Sequence, residues 1–330
     1  MTNTKQISQA FLAVSMAFLG IELPASAQVD PSSPVAQVDA LNGTFGSHEG
    51  KRASHAKGFC ATGEFTPAAR LDKFVKSPLF AQKNVPATIR FSIGGGNPGA
   101  PDKSRSVRGL GVRLAGGGQT YDLVLISEPV FFAATPASFV SFLQARVADP
   151  ATKKPDPAKI AAHNAMYPEG KNQPALLASH PAPYSYVTTP YYSANAFIFQ
   201  AANKSKQHAR IVVEPADGTR YLTEDEEKSL PDLFLENELK ARLETKPAEF
   251  TIYAQLPVAG DPLTDSSQAW NGKERIALGT LRVKNLAAQD SCNGIVFMPV
   301  TLPAGITPSD DPILNARAPA YAVSLGRRSK

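Results

Sequence analysis

One histidine of this chain stands between two cations. The stretch "RASHAKG" runs from Arg52 to Gly58, with His55 flanked by Arg52 and Lys57, in a chain that has five histidines. Nearby positive charge disfavours an imidazolium. The pattern therefore suits a neutral imidazole that takes a proton and returns it, or basic residues that hold an anion beside it. A second group lies at the C-terminus: Arg317, Tyr321 and Arg328. On a helix, Arg317 and Tyr321 lie about 40° apart around the axis and Arg317 and Arg328 about 20° apart. All three share one face if the helix runs that far. An arginine one turn from a tyrosine favours the phenolate, a hard anionic ligand that suits ferric iron. The plain alternative is an ordinary i,i+4 contact.

These residues need elements to position them. Six short, β-branched segments bounded by Gly, Pro or Asn read as strands: 87–93, 109–115, 121–127, 209–215, 249–256 and 277–283. In "RFSI" and "GVRL" the polar residues share one strand face, which is unusual unless that face lines a cavity. Residues 136–147 and 223–245 read as helices, the second opened by a capping box of Thr223 and Glu226. The last helix starts at the acids and proline of "DDPILNAR". Pro319 costs it a hydrogen bond and predicts a kink, and Gly326 is a natural place for it to stop. Two runs of strands separated by helical and Pro-rich stretches predict an α+β domain built on an antiparallel sheet or barrel.

The chain has 330 residues, 43% of them hydrophobic, enough for a sizeable core. Its net charge of +5 is scattered, with no basic stripe and no aromatic-basic alternation, so nucleic acid is not an expected partner. Lys5, the uncharged run Ala10–Ile21 and Ala25-Ser26-Ala27 read as a signal peptide over residues 1–27, with the mature chain starting at Gln28 in a periplasm or outside the cell. That run is too short to span a bilayer, and no membrane span is expected elsewhere. Residues 28–40 read as a flexible, Pro-rich lead-in and 41–330 as one folded domain. Cys60 and Cys292 are either a disulfide or two buried thiols, and neither has zinc-ligand spacing. His48, His163, His180 and His208 have no setting like that of His55 and read as surface or structural residues. "SIGGGNPG" lacks the Gly-Lys-Ser/Thr of a phosphate loop, and Leu114 stands where a dinucleotide fingerprint needs its third glycine.

Six segments, taken in order, carry a resemblance: "RASHAKG", "IRFSIGGG", "VRGLGVRL", "YDLVLISEPVFF", "GDPLTDSSQAW" and "ARAPAY". They are similar to the successive signature blocks of haem catalases, and the chain resembles the short catalase-related peroxidases over nearly all of residues 40–330. The resemblance implies a catalase-like eight-stranded antiparallel β-barrel with surrounding helices that binds haem b. It implies that His55 is the distal catalytic histidine and Ser92 the serine that hydrogen-bonds it. Tyr321 would be the proximal tyrosinate on ferric iron and Arg317 the arginine that stabilises it. Arg52, Arg90 and Arg328 would pair with the haem propionates, and Phe131, Phe132 and Phe139 would line the distal side. The implied partners are small-molecule peroxides and a small electron donor.

The sequence also departs from that family. Ile126 stands where catalases have an asparagine beside the distal histidine, and it offers no hydrogen-bond donor. Gly94 and Ser106 stand where catalases have a valine and an aspartate along the channel, which predicts a wider, less polar route. The C-terminal helical region and most of the N-terminal arm of catalases are missing, so a monomer or dimer is expected rather than a tetramer. Together these point to a peroxidase acting on organic hydroperoxides, with little catalase activity. The alternatives are a residual catalase, a hydroperoxide isomerase and a non-enzymatic periplasmic haem-binding barrel.

Overall fold

The computed structural model describes residues 32–329, together with Met1 and Asp30. The leader read over residues 1–27 therefore lies outside the described residues, Met1 apart. Eight strands form the centre: β1 (Gly58–Pro67), β2 (Val85–Ile93), β3 (Arg108–Gly116), β4 (Gln119–Ile126), β5 (Tyr191–Gln200), β6 (Lys206–Pro215), β7 (Ala248–Gln255) and β8 (Arg275–Ala287). All neighbours are antiparallel in the order β4-β3-β2-β1-β8-β7-β6-β5, and the Ile126–Tyr192 pairing of β4 with β5 closes the barrel. Closure leaves no long open edge. A short β9 (Ile306–Pro308) pairs with β5 at Phe197–Phe199. The helices are α1 (Pro34–Phe45), α2 (Pro136–Gln144), α3 (Pro157–Met166), α4 (Asn172–Ala178), α5 (Glu224–Ser229), α6 (Leu235–Thr245), α7 (Asp290–Asn293) and α8 (Pro312–Arg328).

Strand alternation decides what fills the barrel and what faces out. Ile89, Phe91 and Ile93 of β2 join Leu110, Val112 and Leu114 of β3 in the main core, with Phe199, Ile211 and Phe250 from the far wall. The other face of β2 carries Arg90 and Ser92, which line a cavity. The polar face of "RFSI" is thus a cavity wall, as its pattern requires. The helices α1 and α8 pack against each other, and α1 also packs on α2.

All six expected strands are present. Two barrel strands did not announce themselves. β1 has glycines at Gly58 and Gly63 that break its alternation. β5 has a register shift between Tyr192 and Ala196, where Ala194 sits at φ +56°. The helix expected over 223–245 is two helices, because Pro231 interrupts it, although the Thr223–Glu226 capping box forms. The lead-in expected over 28–40 is corrected for its second half. Ser33 accepts a hydrogen bond from the Ala36 amide, Pro34 opens α1, and Val38 and Ala40 are buried. A Ser-Pro pair read as disorder is a cap followed by a first-turn proline. Gly326 does not end α8, which runs to Arg328 with Pro319 inside it.

Candidate active site

His55 lies in the loop before β1 at φ +54°, a left-handed conformation uncommon for a residue with a side chain. Its neighbours hold it there. The Ala56 amide donates to the Gly95 carbonyl at 3.1 Å, and Arg90 Nη2 donates to the Ala56 carbonyl at 3.3 Å. One residue further, the Ile93 amide donates to the Lys57 carbonyl at 3.1 Å, and Lys57 is tied to buried Asp102.

The imidazole points at β2 and β3. Its Nδ1 lies 3.0 Å from Ser92 Oγ, and Ser92 Oγ donates to the Gly109 carbonyl at 3.5 Å. With the hydroxyl proton directed at that carbonyl, Oγ accepts Nδ1–H and Nε2 is the bare nitrogen. Gly109 makes the approach possible. A Cβ there would lie 2.5 Å from Ser92 Oγ and 2.6 Å from His55 Nδ1. Burial, then Arg90, Arg317 and Arg52, push the His55 pKa down to about 3, so the ring is neutral.

Tyr321 and Arg317 sit one turn apart on α8. Arg317 donates to the Tyr321 phenol oxygen through Nε at 3.1 Å and Nη2 at 2.7 Å. Its Nη1 donates to Asn195 Oδ1 at 3.0 Å, and Asn195 Nδ2 donates to Asp311 Oδ2 at 2.8 Å. Asp311 is the N-cap of α8, its Oδ1 accepting from the Ile313 amide at 2.8 Å. The helix start, the buried amide and the guanidinium thus form one chain ending on the phenol.

His55, Ser92, Arg52, Arg90, Phe139, Arg317, Tyr321 and Arg328 all line a single cavity of about 620 Å³. Its walls include Ile126, which pairs across the strands with Gly109. Phe131, Phe132, Phe139 and Phe142 form a ring cluster on it, with centroids 4.3 Å apart for Phe131–Phe132 and 5.3 Å for Phe132–Phe139. The "GDPLTDSSQAW" loop backs this cluster, since the Phe131 amide donates to the Ser266 carbonyl at 2.8 Å. Leu41 and Phe45 of α1 complete the apolar wall.

Ser106 and Gly94 both line the cavity. A Cβ at Gly94 would meet Val107 Cγ2 at 2.6 Å and Ser106 Oγ at 2.9 Å, so neighbouring atoms already fill that space.

The cationic side of the cavity tests what it can hold. Arg90 Nε and Arg328 Nη2 are buried without a hydrogen-bond partner. Burial, then Arg90 and Arg328, push the Arg52 pKa down to about 9, and burial pushes Arg90 to about 10. Among the described residues none of the three has an acidic partner within salt-bridge distance. Buried guanidiniums with unpaired donors call for anionic oxygens. A macrocycle bearing two carboxylates meets that need, and the volume lies within the roughly 300–1,000 Å³ usual for cofactor sites.

Fold and cavity together define a closed antiparallel barrel that carries a cofactor-sized site on its outer face, between an imidazole and a phenol. The family model described as Catalase matches residues 47–328. The chain belongs to the catalase family. It is 35% identical to a catalase-related peroxidase of Synechococcus elongatus, over 90% of this chain and 89% of that protein. It is 32% identical to a catalase-related peroxidase of Mycolicibacterium paratuberculosis, over 90% and 95%. Among solved structures, catalase A from Saccharomyces cerevisiae superposes with a TM-score of 0.75 at 21% identity, covering 84% of this chain and 61% of that one. The chain thus spans about three-fifths of that catalase. The family and fold imply haem binding.

Asn195, Asp311, Gly109 and the α1 residues escaped sequence reasoning as site residues. Asp311 was visible only as a helix start. Gly109 and Gly111 alternate on one strand, a sign of close approach. Asn195 lies at the irregular part of β5 and carried no signal.

Proposed function

We propose that the chain is a haem-dependent peroxidase that reduces organic hydroperoxides at the expense of a small electron donor, with little disproportionation of hydrogen peroxide. The observation that carries this reading is a neutral imidazole, its Nδ1 engaged by Ser92, lining the same cavity as a phenol held by two arginine hydrogen bonds. A barrel that only stored haem would need no such proton-handling pair.

In this reading Tyr321 binds ferric iron of haem b as the tyrosinate, with Arg317 offsetting its charge. Arg52, Arg90 and Arg328 pair with the two propionates, and Phe139 packs on the apolar side. The haem, when bound, supplies the electrons that break the O–O bond, and the donor restores them. His55 Nε2 takes the proton from one peroxide oxygen and delivers it to the other, so the leaving group departs as a neutral alcohol or water. Ser92 keeps Nδ1 protonated through the cycle. Ile126 and the phenylalanine cluster exclude water and accept an alkyl or aryl group, while offering no donor to hold a second hydrogen peroxide.

The leader read over residues 1–27 supports export to a periplasm. The test of the site assignment is hemin titration of wild type and Tyr321→Phe. Wild type should give a high-spin ferric spectrum of tyrosinate type with one hemin per chain. The variant should lose hemin or change its spectrum, and an unchanged spectrum would remove Tyr321 as the ligand.

A further inference from the structure

Arg52 is oriented by backbone alone. Its Nη2 donates to the carbonyls of Ile295 at 2.8 Å, Asn293 at 3.2 Å and Cys292 at 3.4 Å. All three belong to the turn built on α7. Just beyond the turn, Arg113 Nη2 donates to the Val296 carbonyl at 2.9 Å and the Met298 amide donates to Asp122 Oδ2 at 2.8 Å, so its trailing end is tied to β3 and β4, while its leading end has less to hold it. α7 is four residues long and has no side-chain cap. Its own backbone bonds are local, such as Ile295 N to Cys292 O at 3.1 Å.

A disulfide joins Cys292 of this turn to Cys60 of β1, 232 residues earlier. Cys60 pairs across the strands with Arg90, so the link is made beside a second arginine of the cavity. Both cysteines are fully buried, packed with Phe297, whose ring lines the cavity. The bond therefore fastens the turn to the barrel where Arg52 and Arg90 meet the cavity.

We propose that the Cys60–Cys292 disulfide is a positioning link that holds the α7 turn against β1 and thereby fixes the guanidinium of Arg52 toward the anionic edge of a bound macrocycle. Without the link, the carbonyls of Cys292 and Asn293 lose their covalent tie to β1. Arg52 is then free to swing away from Arg90 and Arg328, whose charges repel it. Because both sulfurs are buried, the link is set when the chain folds and is shielded from reductant afterwards.

The proposal rests on the haem reading of the cavity, and the test separates the two. Hemin release to excess apomyoglobin is followed for wild type, Cys60→Ala/Cys292→Ala, Arg52→Ala and the triple variant. The disulfide variant should release hemin on the order of tenfold faster, as expected when one charge-assisted contact is weakened. Arg52→Ala should do the same, and the triple variant should be no faster than Arg52→Ala, because the link acts through that side chain. Additive effects, or an unchanged rate in the disulfide variant, would overturn the proposal while leaving the haem reading intact. A wild type that takes no hemin would overturn both. Should the variants not fold, wild type refolded under reducing and under oxidising conditions is compared, and equal hemin release in the two states would overturn the positioning role.

Discussion

The site depends on which nitrogen of His55 is bare. Ser92 Oγ, 3.0 Å from Nδ1, leaves Nε2 to face the cavity. His55→Ala should retain hemin and lose roughly 10²–10⁴-fold in peroxide cleavage, the usual worth of a positioned acid–base group. Stopped-flow traces with near-normal rates would contradict the role. The depressed pKa also has a stability consequence in the haem-free protein. Between pH 6.5 and about 3 the unfolded chain binds a proton at this position that the folded chain refuses. Stability contributed by the neutral ring is thus fully present above pH 6.5 and falls as pH drops, by at most about 1.4 kcal/mol per pH unit. Urea midpoints against pH should show this slope in wild type and a flatter one in His55→Gln. Parallel curves would mean that His55 titrates normally. The sequence displayed His55 through its basic neighbours, and Tyr321 through its spacing from Arg317. It did not display Gly109 or Asn195, because a glycine that admits a ring and an amide on a bulge are defined by contacts between strands far apart in the chain.

Elements transmit position to these side chains. α8 was legible as a helix from its acids and proline, and its face from the 3.6-residue period. Its coupling to the barrel was not, since Asp311 caps the helix and also orients Asn195 on β5. Asp311→Ala should cost about 2 kcal/mol or more, because it removes a cap and leaves a buried amide unpaired. Chemical denaturation measures this, and a loss below about 0.5 kcal/mol would show that the chain from helix cap to phenol is not under tension from Asp311. On β3, Gly109→Ala should push Ser92 and His55 apart and slow peroxide cleavage on the order of 10²-fold while hemin still binds. Unimpaired cleavage would show that the strand yields instead. α1 was missed because composition favoured a flexible segment, whereas a cap and a buried face of Val38 and Ala40 decide for helix.

At the scale of the whole molecule, a barrel closed around its own core leaves one outer face to build a site, and helices from both ends of the chain cover it. Six of the eight barrel strands were legible, since alternation and turn residues are local properties. Closure was expected only through the family resemblance and the disulfide only as one of two alternatives, because both join residues remote in sequence. The walls that result are apolar along α1, α2 and the phenylalanine cluster, with Ile126 close to His55. An alkyl or aryl hydroperoxide gains roughly 25 cal/mol for each Å² it buries there, and hydrogen peroxide gains nothing. Ile126→Asn should therefore raise oxygen evolution relative to dye oxidation. The most direct measurement of the central claim compares hemin-loaded wild type with hydrogen peroxide and with cumene hydroperoxide, using one dye as donor and an oxygen electrode alongside. Faster dye oxidation with cumene hydroperoxide and little oxygen from hydrogen peroxide is the predicted result. Oxygen evolution from hydrogen peroxide that outpaces dye oxidation by cumene hydroperoxide would contradict it.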